Sequence, residues 1–500
     1  MDQEKVKRRI RQPGLLNKIM SAEAAADFIK DGMVVGMSGF TLAGDAKAIP
    51  LAFAKLAEGG KRKIYLTTGA SLSPEVDGAL ANAGVISKRT PFISDREMRS
   101  AINEGKVLYF DENLSDPAYK IRNGQIPAPD IAVIEATAIT EDGMIIPTTS
   151  FGNTGIFLET AKQVLLEINL AVPDELEGIH DYYVPKRIPN AEPIPLITPT
   201  QRFGAKGVKI DISKIIGIVL TNQLDSPSPN VLADPDQDAM AANLSKFFFS
   251  EVDAGRLTYS LQPLQAGIGS VANAALWGLM DGPWNNLIMH SEVLQDSTFD
   301  LIDSGKMVFA SATSITLSPE KNRQVFSEFD KYKDKIVLRP QDVSNNAEIV
   351  KRINIIAVNT AMDVDIYGNV NSTHVGGTHM MNGIGGSGDF ATNAHTTIFL
   401  TKSCVPGGKI SRVLPMVPHV DHNEHNVDII ITEQGIADLR GLAPRERAQS
   451  IINNCSHPTY RPLLHKYVEE ANARGGQTPH VIEKAFEWFA RLRETGTMLP

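Results

Sequence analysis

The chain has little of several features that would decide its class at once. Only two of its 500 residues are cysteine, Cys404 and Cys455, which is too few for a disulfide framework and matches no metal-binding spacing. No apolar run approaches the roughly 18 residues of a membrane-spanning helix. The N-terminal segment MDQEKVKRRIRQPG is charged and lacks the apolar core of a secretory signal. These absences predict a cytoplasmic protein with no membrane partner.

Basic residues are in deficit as well. The chain has 58 acidic and 49 basic residues, a formal net charge of −9. Non-specific nucleic-acid binding needs basic surface that displaces counterions, so we expect no nucleic-acid partner. The one basic cluster, from Lys5 to Arg11, is expected to form a solvated N-terminal helix.

Short apolar runs alternate with helix-like stretches such as Ala22–Ile29 and Ile49–Ala57. This alternation predicts an α/β fold with mostly parallel sheets and helices on both faces. The apolar runs, which we expect to be strands, are Met33–Met37, Ile64–Thr68, Ile131–Ile134, Val164–Ile168, Ile215–Thr221, Leu287–His290, Met307–Ala310, Ile336–Leu338, Ile355–Val358, Thr396–Leu400 and Val427–Thr432.

Two stretches interrupt this pattern. The proline-rich segment Pro173–Pro199 is expected to be an irregular excursion across the first domain. NQLDSPSPNVLADPDQ at 222–237 predicts the domain boundary, with domains at 1–225 and 226–500, the second ending in a helical stretch at 441–495. DIAVIEATAITEDG at 130–143 also resembles DIIITEQGIADLRG at 428–441, which favours an internal duplication.

Three glutamates stand where predicted strands end: Glu135, Glu292 and Glu433. Ligands of open parallel sheets gather at the carboxyl ends of the strands. In NLIMHSE, Glu292 follows an apolar strand directly. The structural alternative is an acid in the first turn of a helix capped by Ser291.

Two glycine-rich segments are candidate ligand loops. QAGIGSVANA places Gly267 and Gly269 before a helix and matches the dinucleotide fingerprint, with Glu292 as the ribose ligand. That pattern keeps an NAD-dependent oxidoreductase open, although the preceding TYSLQPLQ reads as a poor buried strand. In NGIGGSGDF at 382–390, only seven residues separate Gly388 from the next strand. We therefore expect no crossover helix there, and either a loop of backbone donors or a turn cluster.

The histidine-rich segment PHVDHNEHNVD contains His419, His422 and His425. A spacing of three residues fans side chains around a helix, whereas zinc needs three or four converging ligands. We expect polar histidines with hydrogen-bond partners and no metal site. Ser38 and Ser71 lie in glycine-containing loops but not in a G-x-S-x-G elbow, so a serine-hydrolase triad has no support.

Taken together, motifs along nearly the whole chain resemble the acetyl-CoA hydrolase/transferase family of class I CoA-transferases. The matching stretches are VVGMSGFTLAG (34–44), LTTGAS (66–71), IEATAITEDG (134–143), EGIHD (177–181), PLQAGIGSVANA (263–274), SEVLQDS (291–297), DVSNN (342–346), DIYGNVNSTHV (365–375), MNGIGGSGDF (381–390), GGKIS (407–411), HVDH (419–422), TEQGIADLRGL (432–442) and the terminal TGTMLP.

The resemblance implies an enzyme that moves CoA between short-chain carboxylates, with succinyl-CoA and acetate as the expected pair. It also implies two similar Rossmann-like α/β domains and a homodimer, with coenzyme A as substrate and no tightly bound cofactor. Glu292 matches the nucleophile, which would pass through a covalent glutamyl-CoA thioester. The other implied catalytic positions are Ile268 and Gly386 as oxyanion donors, Asn345 beside the thioester, and Ser71 and Glu433.

The implied CoA contacts are Ala266, Gly267, Ile268, Gly269, Ser270, Asn345, Gly386 and Lys409. Relatives often carry a lysine immediately before GGK, where this chain has Pro406, so Lys402 or Lys409 would have to contact the CoA phosphates. No arginine is evident for the distal carboxylate of succinate. Acetyl-CoA hydrolysis at the same site and a non-catalytic CoA-binding protein remain alternatives.

Overall fold

The computed structural model describes residues 3–228 and 234–500, which form two compact units. The first unit contains the described residues up to 228 together with Met289–Phe299 and Val308–Ile349. The second contains residues 234–288, Asp300–Met307 and Val350–Pro500. Of the predicted boundary segment, residues 229–233 lie outside the described residues. The division after residue 225 stays a prediction, because units defined by packing need not follow sequence domains.

Strands and helices alternate up to residue 221. The strands are β1 Val34–Met37, β2 Ile64–Thr67, β3 Ile86–Thr90, β4 Leu108–Tyr109, β5 Ile131–Ile139, β6 Met144–Pro147, β7 Gln163–Asn169, β8 Val208–Lys209 and β9 Ile215–Thr221. The helices are α1 Gln3–Arg9, α2 Ala22–Ala26, α3 Ala48–Leu56, α4 Pro74–Asn82, α5 Arg96–Asn103, α6 Asp116–Arg122 and α7 Thr154–Thr160.

The alternation resumes after the boundary segment. The strands are β10 Leu264–Ala266, β11 Leu287–His290, β12 Val293–Leu294, β13 Met307–Ala312, β14 Ser314–Ile315, β15 Ile336–Leu338, β16 Ile356–Thr360, β17 Asp363–Asp365, β18 Val370–Asn371, β19 His374–Val375, β20 His379–Met380, β21 Thr396–Leu400, β22 Val413–Leu414, β23 Ile429–Thr432 and β24 Gly435–Asp438.

The helices of this part are α8 Pro235–Asp253, α9 Ser270–Trp277, α10 Asp296–Asp303, α11 Pro319–Ser327, α12 Gln341–Ser344, α13 Ala347–Arg352, α14 Ser387–Asn393, α15 Pro444–Cys455, α16 Arg461–Arg474 and α17 Glu487–Thr495. Short 3₁₀ helices occur at Pro13–Lys18, Asp174–Leu176, Ile212–Lys214, Phe329–Lys331, Glu424–Asn426 and Ile482–Lys484. No helix among the described residues has the length and hydropathy that a membrane crossing requires.

The first unit is built on a nine-stranded sheet with a parallel path β4-β3-β2-β1-β5-β7-β9. Strands β6 and β8 extend it antiparallel from the second half of β5. All nine residues of β5 are buried, as a central strand covered on both faces requires. The same unit contains the short parallel pair β12–β14.

In the second unit, strands β10, β16, β21 and β23 are parallel, and β24 returns antiparallel to β23. Helices α15 and α16 bury their apolar sides in one core with these strands. That core includes Phe399, Ile430, Ile451, Ile452 and Leu464. The predicted α/β class with mostly parallel sheets is confirmed, as are the helical C-terminal stretch and all the strands predicted from apolar runs.

The two similar segments, 130–143 and 428–441, have the same local structure. Asp130 precedes β5, and its carboxylate accepts a hydrogen bond from the amide of Val34, 3.0 Å away, at the start of the neighbouring strand. Asp428 precedes β23 and accepts in the same way from the amide of Thr397 at 2.9 Å. Each strand then pairs antiparallel with the next one along the chain. This shared arrangement supports duplication.

Three expectations about local structure were wrong in part. The basic N-terminal segment forms α1, but it is not fully solvated, because Arg9 is buried and binds Asp174 at 2.6 Å and the carbonyl of Thr137 at 3.0 Å. Only the last two residues of TYSLQPLQ, Leu264 and Gln265, belong to the buried strand β10, and residues 258–263 form no strand. Helix α14 does fit after the second glycine loop, because a helix of two turns spans only about 10 Å.

Candidate active site

Glu292 lies at the end of β11 in a segment that backbone hydrogen bonds hold on both sides. The amide of Ser291 donates to the carbonyl of Ser311 at 2.9 Å, and the carbonyl of Glu292 accepts from the amides of Thr313 at 2.9 Å and Ser314 at 3.0 Å. The residue is 8% exposed. It is followed by β12 and not by a helix, since α10 begins only at Asp296. The helix-capping alternative for Glu292 is therefore wrong.

Asn345 lies beside the Glu292 carboxylate. Its Nδ2 donates to Oε1 of Glu292 at 2.9 Å. Asn345 is fully buried and follows α12, where its amide donates to the carbonyl of Gln341 at 3.0 Å. The structure thus brings together two residues that the sequence separates by more than fifty positions, at a hydrogen bond that favours the ionised carboxylate.

Ser71 belongs to the same unit as Glu292. Its neighbour Ala70 and the neighbour of Glu292, Val293, belong to one small buried cluster with Phe40, Phe92 and Leu114. The Ser71 hydroxyl is 2.8 Å from that of Ser94, and the residue is 1% exposed. The loop carrying Ser71 and the segment carrying Glu292 therefore pack together.

Glu135 serves a different purpose. Its Oε2 accepts from Nζ of Lys47 at 2.8 Å, and its Oε1 accepts from the hydroxyl of Thr148 at 2.8 Å. Lys47 is 2% exposed and also contacts Asp225 at 2.9 Å and Asp45 at 3.5 Å. Burial, together with repulsion from Asp225 and Asp45 that attraction to Lys47 only partly offsets, raises the pKa of Glu135 to about 8. A carboxylate so enclosed is a structural partner of a buried lysine.

Replacing Lys47 by methionine should strongly destabilise the protein, because it leaves several buried carboxylates without their cation. Removal of one partner from a buried ion pair costs about 3–5 kcal/mol. Thermal and denaturant melting would measure this loss against Lys55→Met, which removes an exposed lysine of α3. Equal melting temperatures for the two variants would contradict the assigned role of Lys47.

In the second unit, the turn Ala266–Ser270 connects β10 to α9. The amide of Gly267 donates to the carbonyl of Val358 at 2.9 Å, and Gly269 has a φ of 102°, which glycine adopts without strain. Ile268 is 40% exposed although it is a large apolar residue. Ser270 accepts a hydrogen bond from the Gln237 amide at 2.9 Å. This turn presents backbone and an apolar side chain outward, as a ligand-binding turn requires.

Gly386 ends the second glycine loop and caps α14, where its carbonyl accepts from the amide of Phe390 at 3.0 Å. The next residue, Ser387, donates from its hydroxyl to the carbonyl of Ile384 at 2.7 Å and lies 3.1 Å from Nε2 of His422. Burial lowers the pKa of His422 to about 4, so its ring is neutral near pH 7. The buried histidine thereby fixes the loop beside Gly386.

The other two histidines of that segment, His419 and His425, have different surroundings. Nε2 of His419 lies 3.2 Å from the carboxylate of Asp421, and its ring is 3.8 Å from that of His374. His425 is exposed. Within residues 3–228 and 234–500, no group of three or more potential metal ligands converges.

Glu433 follows β23 and accepts from the amide of Ser403 at 2.8 Å and from Gln434 at 2.9 Å. Burial raises its pKa, but the hydrogen bonds from Ser403 and Gln434 outweigh burial and bring the pKa below its ordinary value. Glu433 is therefore an ionised carboxylate whose position is fixed by its neighbours.

The two candidate phosphate-binding lysines differ in their surroundings. Lys402 pairs with Asp234 at 2.5 Å and Asp236 at 3.2 Å, at the start of α8. Lys409 has an exposed side chain, and its carbonyl accepts from the amide of Met498 at 2.8 Å. The terminal TGTMLP motif thus supports the backbone of the GGK loop. Of the two lysines, Lys409 is better placed to meet an anion.

Sequence reasoning missed the residues that support this site. Ser344, His290 and Thr313 contact the Glu292 and Asn345 segments. Lys47, the partner of Glu135 away from this site, was missed as well. The only signal was adjacency: His290 and Ser344 directly flank the motifs that carry Glu292 and Asn345.

Both halves of the chain match models of one protein family. Residues 3–219 match the acetyl-CoA hydrolase/transferase N-terminal domain, and residues 322–468 match the C-terminal domain of the same family. The chain is 49% identical to the succinyl-CoA:acetate CoA-transferase of Clostridium kluyveri, over 98% of this chain and 92% of that protein. It is 42% identical to the propanoyl-CoA:succinate CoA transferase of Escherichia coli, over 96% of this chain and 98% of that protein.

Similarity extends to hydrolases and to solved structures. An acetyl-CoA hydrolase of Candida glabrata is 40% identical over 99% of this chain and 97% of that protein. The fold matches RipA from Yersinia pestis with a TM-score of 0.71 at 19% identity, over 94% of this chain and 100% of that one. It matches a 4-hydroxybutyrate CoA-transferase from Porphyromonas gingivalis with a TM-score of 0.62 at 20% identity, over 95% and 100%. The solved structures show the fold, while the two family models and the curated relatives favour the acetyl-CoA hydrolase/transferase family over the dinucleotide-binding interpretation.

Proposed function

Because the chain belongs to the acetyl-CoA hydrolase/transferase family, and is an enzyme of that family, we propose that it transfers CoA between succinyl-CoA and acetate through a glutamyl-CoA thioester on Glu292. The observation that carries the proposal is the buried Glu292 carboxylate with the Asn345 amide donating to its Oε1 at 2.9 Å. A weak nucleophile such as a carboxylate must be ionised and held in position before it can attack.

The proposed reaction proceeds in balanced steps. An oxygen of Glu292 attacks the acyl carbonyl of the donor and expels CoA as a thiolate, which leaves a mixed anhydride. The thiolate then attacks the glutamyl carbonyl, releases the donor carboxylate and forms the glutamyl-CoA thioester. The acceptor carboxylate reverses both steps, so Glu292 returns unchanged and no net proton is consumed.

Each tetrahedral intermediate carries an oxyanion that hydrogen-bond donors must stabilise. We assign this role to the backbone amides of Ile268 and Gly386, with Asn345 holding the glutamyl group. Ser71 and Glu433 complete the proposed set, Ser71 in a loop packed with the Glu292 segment and Glu433 as an ionised carboxylate fixed by Ser403.

For the bound CoA, we propose contacts with the turn from Ala266 through Gly267, Ile268 and Gly269 to Ser270. Lys409 is the proposed partner of the CoA phosphates, since Lys402 already pairs with two aspartates. The proposed assembly is a homodimer, as the resemblance implies.

Acceptor dependence separates a transferase from a hydrolase at the same site. Both reactions share the Glu292 intermediates, and hydrolysis arises when water attacks the anhydride or the thioester. We expect acetyl-CoA consumption to be slow in buffer and to rise at least about tenfold with succinate. The measurement follows CoA release and succinyl-CoA formation separately. A rate that succinate leaves unchanged would favour the acetyl-CoA hydrolase.

A further inference from the structure

A chain of hydrogen bonds leads from His290, the last residue of β11 and two positions before Glu292, to the side-chain amide that contacts the Glu292 carboxylate. Nε2 of His290 donates to the carbonyl of Ser344 at 2.9 Å. The Ser344 hydroxyl donates to Oδ1 of Asn345 at 2.7 Å, and Nδ2 of Asn345 donates to Glu292 at 2.9 Å. His290, Ser344 and Asn345 are fully buried.

Two of these hydrogen bonds have a direction that their acceptors fix, because a carbonyl and an ionised carboxylate only accept. The carbonyl of Ser344 only accepts, so His290 carries its proton on Nε2. Burial lowers the pKa of His290 to about 3, and the nearby Arg339 adds to the effect, which keeps the ring neutral near pH 7. Nδ1 of His290, the unprotonated nitrogen of this tautomer, has no partner among the described residues.

Glu292 and Ser344 hold the two ends of the Asn345 amide. The carboxylate only accepts, so Nδ2 faces Glu292, and the Ser344 hydroxyl then donates to Oδ1. The oxygen and the nitrogen of a carboxamide lie on opposite sides, so holding Oδ1 turns Nδ2 toward Glu292. In the reversed orientation, Oδ1 would face the carboxylate and repel it. By donating to Oδ1, the serine holds the amide in the orientation that the carboxylate requires, and so favours the ionised nucleophile.

The charged residues in and next to α12 form ion pairs with other parts of the first unit. Arg339 contacts Asp181 at 3.2 Å, and Arg122 contacts Asp342 at 3.0 Å. Gln341 donates from its side chain to the carbonyl of Leu114 at 2.7 Å. These contacts anchor α12, so the short helix delivers Ser344 and Asn345 to Glu292 in a fixed geometry.

We propose that Ser344, held by His290, is a positioning residue that orients the Asn345 amide toward the Glu292 carboxylate. This role rests on the proposed function of Glu292. Ser344 touches neither substrate nor the reacting atoms, and it acts only through Asn345.

Ser344→Ala should lower kcat/KM about tenfold, since the Asn345 amide loses the bond that holds its Oδ1 and its hydrogen bond to the charged carboxylate is weakened. It should also move the acidic limb of the kcat/KM profile to higher pH by about one unit. The sign follows because the donor favours the ionised carboxylate, so without it Glu292 binds a proton at a higher pH. KM for the acyl-CoA should stay within about twofold, because the proposed CoA-binding turn is unchanged.

A double-mutant cycle tests whether Ser344 acts through its neighbour. In the Asn345→Ala background, Ser344→Ala should cause no further loss of rate and no further shift of the acidic limb. Ser344→Cys, whose thiol is a weaker donor, should give an intermediate shift and serves if the alanine variant folds poorly. Melting curves establish folding of each variant.

Ser456→Ala is the matched control. Ser456 is as buried as Ser344 and also donates from its hydroxyl, but to the carbonyl of Ile452 in the second unit. Its loss should affect stability and leave the pH profile in place. A wild-type acidic limb in Ser344→Ala, or losses that add fully in the cycle, would overturn the positioning role. Glu292→Ala is assayed in parallel, because turnover in that variant would refute the proposed function instead.

Discussion

Glu292→Ala is expected to lose turnover by at least about 10⁴-fold, the scale seen when a covalent nucleophile is removed. The reason is that both proposed intermediates are acyl derivatives of this one carboxylate, so no other step can replace the lost bond. Glu292→Asp should also be impaired, by about 10²-fold, because shortening the side chain by one methylene withdraws the attacking oxygen by about an ångström.

Covalent labelling tests whether Glu292→Ala loses turnover at the chemical step and not in CoA binding. Incubation with an acyl-CoA and no acceptor should leave CoA bound as a thioester, which borohydride reduces while free carboxylates survive. Mass spectrometry should locate the product on the peptide containing SEVLQDS, in the wild type but not in Glu292→Ala. Binding of CoA itself should largely remain, since the substitution leaves the proposed CoA-binding turn Ala266–Ser270 and Lys409 in place.

Glu328→Ala is the control for this experiment. Glu328 is exposed, and its contact with Lys331 is a surface pair at 3.8 Å, which contributes little stability. Its replacement should change neither turnover nor labelling. Full activity in Glu292→Ala would refute the mechanism, whereas label on Glu433 or Glu135 would keep the reaction type and move the nucleophile.

Strands buried on both faces were the most predictable part of the fold. Apolar runs such as Leu287–His290 and Ile336–Leu338 coincide with strands because burial on both faces demands continuous apolar sequence. Short edge or terminal strands were missed for the opposite reason. Leu108–Tyr109 and Val208–Lys209 each have only two residues and an exposed member, so they leave no periodic signal.

Buried polar side chains were the second feature that the sequence did not predict. Gln265 lies in the middle of β10 and is fully buried, because its side chain exchanges hydrogen bonds at 3.1 Å with Asn359 on the parallel neighbour β16. In the sequence, Pro263 and the two glutamines of TYSLQPLQ made that segment look unlike a strand, and of these residues only Gln265 lies in β10. Arg9 is a comparable case, since its burial depends on Asp174, a partner far along the chain.

The candidate site, too, was predictable in part: its residues could be identified from the sequence, but their contacts could not. Motif resemblance identified Glu292 and Asn345 but carried no geometry. Three glutamates at strand ends looked alike in sequence, and the structure distinguishes them by their partners: Lys47 for Glu135, Ser403 for Glu433 and Asn345 for Glu292. Such partners come from distant segments, so only the folded chain reveals which carboxylate is set up for attack.

Gly386→Pro should lower kcat by about 10²–10³-fold, the usual cost of removing one donor from an oxyanion hole. The substitution deletes the backbone N–H that we assign to the oxyanion. Gly386 has a φ of −82°, close to the value that proline imposes, so the ring itself fits the local backbone. The preceding Gly385 has a φ of 60°, which proline disfavours in the residue before it, and a melting curve is therefore required.

Gly386→Ala provides the comparison that isolates the amide. Alanine adopts a φ of −82° readily and keeps the N–H, so this variant should retain turnover within a few-fold of the wild type. The proline variant should still bind CoA and still react slowly at Glu292, because the nucleophile is untouched. Single-turnover rates of CoA-thioester formation would measure the difference directly. If both variants fold and lose activity equally, the loop matters for its shape, and the amide of Gly386 is not an oxyanion donor.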